Sequence, residues 1–238
     1  MAFNGFSQAT GDFLWGLAIN NDRVWFQEHR DEFENHLNRP FRALAKETRD
    51  IILRRHPDLA LEPHVSRIYR DARRLFGRGP FKDHLWFVLH GSGHHTQNAM
   101  FWFELSGTGW SYGVGIWDDS ADVSETFRRH IDADVPRFEA MVTDLAAAGD
   151  YTLWGELYKR PKGDRGPIVN PWYNRRHHSV GYERPFGEAL FSPDLPTFLA
   201  DEFERLLPMF LFMQAVWQDT NARRAARQAQ AALGGELL

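Results

Sequence analysis

The chain has 238 residues, 43% of them hydrophobic, with nine Trp, nineteen Phe and a formal charge of −4. It contains no cysteine, which excludes disulfides, thiolate nucleophiles, zinc–cysteine sites and cysteine-held iron–sulfur clusters. The length allows a sizeable core, and the acidic balance weighs against a protein that grips nucleic acid through many phosphates.

The first six residues show no basic segment followed by an apolar run, so no secretory leader is expected. The most apolar stretch, residues 206–217, is interrupted by Pro208 and Gln214 and is too short to span a bilayer. A soluble cytoplasmic protein with no membrane partner is the expectation.

The N-terminal part reads as helical. Phe13, Leu14 and Leu17 share a helical face, and Asn20-Asn21 reads as a helix C-cap followed by the next N-cap. Trp25, Phe26, His29, Phe33 and Leu37 recur at helical spacing. Pro40 suits a helix start, and Leu44, Ala45, Thr48, Ile51 and Ile52 follow at the same period.

The segment from Arg67 to Lys82 is the chain's densest cationic stretch. Arg67, Arg70, Arg73, Arg74, Arg78 and Lys82 are interleaved with Ile68, Tyr69, Leu75, Phe76 and the single acid Asp71. A solvated charge run has no use for those apolar residues, so the cations are expected against a folded surface, as in an anion site. Residues His64 to Arg70 read as a further strand, and the apolar positions Val65, Ile68, Tyr69 and Ala72 also fit a helix. On a strand Arg67, Tyr69 and Asp71 face one way; on a helix Arg67, Arg70, Asp71 and Arg74 share a face.

Residues 84–90, 99–105 and 110–117 are short, aromatic and bounded by glycine-containing turns, which predicts an antiparallel meander closed by a hairpin at 106–109. Helical signals return at 124–130 and at 135–148. Residues 151–158 read as a strand, 160–171 as a Pro/Gly loop, and Asn174-Arg175-Arg176-His177-His178 as a basic helix start. A long helical region opens at Ser192-Pro193. Helices, then strands, then helices predict an α+β fold: one domain over 1–220 with a mainly antiparallel central sheet, and an Ala/Arg/Gln tail at 221–238.

These residues also carry a resemblance. Arg67, Arg70, Asp71, Arg73, Pro80 and Lys82 match an Arg-x-x-Arg-Asp-x-Arg-Phe signature with its downstream Pro-Tyr-Lys. Phe3-x-Gly5-Phe6, Phe13-Leu14, Asn20-Asn21-x-Arg23-x-Trp25-Phe26 and Pro161-Lys162-Gly163 fit the same pattern. On them the chain resembles the bacterial domain-of-unknown-function family 2461. Arg74 stands where that family usually has Phe, Gly77 replaces an acid or amide, Arg78 replaces Lys and Phe81 replaces Tyr. The resemblance implies no particular activity.

The expected site is a pocket for a small anion, phosphate or carboxylate. Arg67, Arg70 and Arg73 form the clamp, Lys82 is a supporting cation and Asp71 orients a guanidinium; His84, Lys162 and Arg175 are secondary candidates. No catalytic residue is assigned. If chemistry accompanies binding, the absence of cysteine and of a serine triad points to acid–base or electrostatic catalysis. The alternative is an interaction or scaffold module whose arginines form internal ion pairs with Asp12, Glu32, Glu104 or other acids. The spacing of His84, His90, His94 and His95 fits no zinc signature, so neither metal nor cofactor is expected.

Overall fold

A computed structural model describes residues 2–71, 73, 77–91, 93, 94, 96, 98–118 and 120–235. The fold is α+β, with helices at both ends of the chain. Six strands, β1 (Glu62–Val65), β2 (His84–His90), β3 (Ala99–Ser106), β4 (Gly109–Ile116), β5 (Thr152–Trp154) and β6 (His178–Arg184), form one antiparallel sheet in the order β1-β2-β3-β4-β6-β5. No helix among the described residues is long and apolar enough to cross a membrane. By contacts the chain divides into two units. The first comprises Met1–Ser92, Phe101–Gly113 and Tyr182–Arg205; the second comprises Gly93–Met100, Val114–Gly181 and Leu206–Leu238.

In the first unit, α1 (Gln8–Ile19) starts at a capping box between Ser7 and Thr10. It stops at Asn20, whose backbone and side chain both donate to the Gly16 carbonyl. Asp22 caps α2 (Arg23–Glu28) by accepting from the Val24 and Trp25 amides. Then come α3 (Arg30–Glu32), a π-helical segment (Phe33–Asn38) and α4 (Arg39–Arg55). Pro40 lies in the first turn of α4, as expected. Proline has no N–H to donate, and its ring crowds the carbonyl four residues back; the wider π turn before it relieves that misfit.

Strand alternation divides the sheet residues of this unit into two sets. Phe87 and Phe103 pack on Phe41 of α4, at 5.6 and 5.5 Å between ring centroids. Phe101 stacks on Phe203, and Trp110 and Tyr112 meet Phe198, both partners lying in α9 (Leu195–Gly235). The buried Tyr112 hydroxyl donates to Glu202 (2.8 Å) and accepts from Arg184 (3.2 Å), while Arg205 donates to the other Glu202 oxygen (2.7 Å). A buried carboxylate is tolerated here because both oxygens are satisfied. The other set, Trp86, Glu104, Ser106, Ser111 and Glu183, is the more polar one.

In the second unit, α5 (Ala121–Ala133) and α6 (Val135–Ala147) pack around Phe127 and Phe138. Phe127 stacks on His178 at 3.5 Å, and Phe138 meets Trp172 of α7 (Asn170–Tyr173) edge-on. The basic run after Asn174 does not start a helix. Arg175 forms an isolated bridge with Leu157, and β6 begins at His178 and pairs with β5, Thr152 facing Gly181. Val180 and Tyr182 alternate inward along β6, a signal diluted in sequence by His, Ser, Gly and Glu. A short α8 (Glu188–Phe191), in the first unit, precedes α9. The helix α9 runs unbroken through Pro208 and Asn221, so residue 221 lies inside a helix.

Candidate functional site

In its described residues the arginine segment is neither a full strand nor a helix. Past β1 the chain stays extended and is zipped to residues 80–86 by three backbone bonds: Ser66 N–H to Trp86, Lys82 N–H to Ile68 and Arg70 N–H to Pro80. Tyr69 and Phe81 form an isolated antiparallel bridge. Phe81 is buried and stacks on Phe26 at 4.1 Å. Ala72 and residues 74–76 lie outside the described residues, so the Arg74 departure has no structural account.

Asn21 fixes this turn. Its side chain accepts from the Phe81 amide (2.9 Å) and donates to the Phe81 carbonyl (3.0 Å), as a neighbouring strand would. Gly79 lets it approach: a Cβ there would lie 2.3 Å from the Asn21 side-chain oxygen. Gly77 has a φ of 78°, a left-handed conformation that glycine adopts without strain.

The expected clamp residues fare differently. Arg73 forms a two-pronged pair with Asp71, Nη2 to Oδ2 at 2.7 Å, while its side chain is 88% exposed. Arg70 donates Nε to the Phe81 carbonyl (2.7 Å) and lies 3.5 Å from Asp83. Arg67 is exposed, and no partner for it occurs among the described residues. The acids engaged are thus Asp71 and Asp83, which are among the other acids the ion-pair alternative allows.

Lys82 is the distinctive group. Its amide is tied to Ile68, and its ammonium sits half-buried, 5.5 Å from the centre of the Trp86 ring. Among the described residues, no acceptor lies within hydrogen-bond distance of that ammonium. Burial pushes its pKa down to about 8; the Glu104 charge opposes the fall and the Arg70 charge adds to it. Burial raises the Asp83 carboxyl, but the His84 hydrogen bond (2.9 Å) and the Arg70 charge hold it below its ordinary value. Glu104 lines a groove of about 390 Å³ with Ser106, Ser111, Glu183 and Arg184.

The secondary candidates Lys162 and Arg175 belong to the second unit. Arg175 donates Nη1 to the Gly155 carbonyl, its Nε is buried without an acceptor, and burial pushes the guanidinium down. Asn174 holds the loop before it, accepting from the Lys162 amide (2.6 Å) and donating to the Gly163 carbonyl (3.1 Å). Among the described residues no three His, Asp or Glu side chains are gathered as a metal site; His95 lies outside them.

In sequence Asn21 reads as a cap, Glu104 as an ion-pair partner of the arginines and Asn174 as part of a basic helix start; none of them reads as a residue that shapes a site. Asn20 is the expected C-cap, but Asp22 and not Asn21 is the next N-cap, which leaves the Asn21 side chain to bond Phe81.

A family model described as conserved hypothetical protein (DUF2461) matches residues 9–212, and the chain belongs to that family. No curated protein matches it.

Proposed function

We propose, for this member of a family whose description assigns no activity, that the protein binds a small anion, a phosphate or a carboxylate, at Lys82 in the first unit. Arg67 and Arg70 flank the site, and the Asp71–Arg73 pair closes the turn beside it. The observation that carries this reading is a half-buried ammonium with no acceptor among the described residues. Removing a cation from water without a partner is costly, and a bound oxyanion restores the lost interaction. The hydroxyls and carboxylates of the groove beside Glu104 suit a polar ligand body. With a pKa of about 8, Lys82 is also able to exchange a proton near neutrality.

Calorimetric titration with inorganic phosphate, sulfate and acetate tests the reading. Lys82→Met should weaken binding roughly tenfold or more, the size of one charge-assisted hydrogen bond. An anion raises the lysine pKa, so binding near pH 8 should take up protons and should weaken as pH rises above 8. Equal affinity in Lys82→Met overturns the proposal.

A second reading, arginines as internal braces, is favoured by the Asp71–Arg73 fork and by the Arg70 bond to Phe81. It predicts that Arg70→Ala loses stability while the response to anions is unchanged.

A further inference from the structure

The second unit holds a different cluster. Ser124 and Arg128 lie four residues apart on α5, hence on one helical face. The buried Ser124 hydroxyl is 2.8 Å from the Tyr158 hydroxyl. The Arg128 guanidinium lies 5.3 Å from the centre of the Tyr158 ring, and the Lys162 ammonium lies 4.7 Å from it. Asn174 sets both loop residues: its carbonyl accepts from the Tyr158 amide (2.9 Å), and its side chain accepts from the Lys162 amide (2.6 Å).

Two features make this more than a packed aromatic ring. Arg128 Nη1 is buried and has no hydrogen-bond partner. The neighbouring acids are engaged elsewhere: Asp132 accepts from Arg165 (2.6 Å) and Tyr173 (2.9 Å), and Glu156 lies 3.5 Å from Arg176. Among the described residues, neither Arg128 nor Lys162 has a carboxylate partner. Two cations, one orphaned donor and two hydroxyls therefore meet at one tyrosine. Burial pushes the Tyr158 phenol up, but hydrogen bonds from Ser124 and Arg128, together with the Arg128 and Lys162 charges, bring it below its ordinary value. That is the field an anion would feel.

We propose that Arg128, Lys162 and Tyr158, with Ser124 behind the phenol, form a second binding site for an oxyanion, either a phosphoryl or a carboxylate group. Arg128 Nη1 donates to one oxygen and Lys162 to another; the Ser124 hydroxyl, which donates to the Ala121 carbonyl (3.2 Å), turns its hydrogen to the phenol oxygen when the anion binds, and this frees the Tyr158 hydroxyl to donate to the first or a third oxygen. Arginine suits the role because its planar fork stays charged and offers donors in fixed directions.

The test follows the tyrosine ring carbons by NMR on the full chain, with the Tyr158 signal assigned by its loss in Tyr158→Phe. Inorganic phosphate and acetate are titrated separately. The expected result is a saturable shift of the Tyr158 signal. Arg128→Met and the exposed Lys162→Met should each weaken it about tenfold or more, while the neighbouring exposed Lys159→Met leaves it unchanged. Saturation by phosphate alone assigns a phosphoryl ligand; saturation by acetate alone assigns a carboxylate. No saturation by either, or a Kd untouched by Lys162→Met, overturns the proposal. Because this signal reports on Tyr158 alone, its outcome stands apart from that of the Lys82 titration.

Discussion

At the scale of single residues, burial decides what each titratable group does. His178 is fully enclosed, stacked on Phe127, and bonded through Nε2 to the Trp172 carbonyl at 3.1 Å. Burial pulls its pKa from 6.5 to about 3, with the Trp172 bond opposing and nearby cations reinforcing the shift. The folded protein therefore keeps this ring neutral, and Nε2–H is the donor. Between roughly pH 6.5 and 3 the unfolded chain binds a proton that the folded chain refuses. Stability should fall across that window as pH falls, by several kcal/mol at its lower end. Urea unfolding of wild type and His178→Gln at pH 7.5 and pH 5 checks this. The variant should be less stable at both values but should lose less on acidification; parallel losses would assign the acid sensitivity to other groups. Lys82 obeys the same physics, and its exposure on one side is what leaves it accessible to a ligand.

At the scale of elements, α9 does more than its composition suggests. Beyond Asn221 it has small apolar residues and arginines, which read as a tail able to bury little area. Yet Arg224 donates to Asp118 (2.9 Å), Asp122 (3.2 Å) and Ser120 (2.5 Å), and Arg227 donates to Asp122 (2.7 Å). The Asp122 carboxyl is held below its ordinary value by hydrogen bonds from Arg224 and Arg227. These bonds tie the helix to the start of α5. Ending the chain at residue 221 should therefore cost about 1–3 kcal/mol of stability, because partly buried carboxylates lose their partners. Ending it at residue 228 should change stability by less than about 0.5 kcal/mol, since Gln228 to Ala231 are exposed and the arginine bonds to Asp118 and Asp122 are kept. Denaturant unfolding of the two truncations distinguishes them, and equal stability would show that the network contributes nothing.

At the scale of the whole molecule, the net charge of −4 limits what two local cationic sites can do. A duplex neutralised at only a few phosphates releases few counterions, so binding should be weak and should vanish by about 0.2 M salt. Fluorescence anisotropy with a labelled duplex over a salt series measures this. Tight binding that persists at physiological salt would favour a continuous basic surface over two small-anion sites.

The α+β class, the three central strands, the Pro40 helix start and the family were legible in one dimension, because hydrophobic period, glycine turns and a dense motif are local signals. The sequence also drew attention to the Arg67–Lys82 segment. It did not determine which cations there have partners. Arg70 and Arg73 look alike in sequence, but one clips a backbone carbonyl and the other pairs with Asp71; the difference depends on a turn fixed by Asn21 from sixty residues away. Strand β6 escaped for a related reason: its residues become a strand by pairing with β5, and a basic, glycine-containing run does not announce that in one dimension. The Tyr158 cluster draws on α5 and on two stretches of loop. Only tertiary structure decided it, since burial and the loss of water around an orphaned guanidinium arise when distant segments close together.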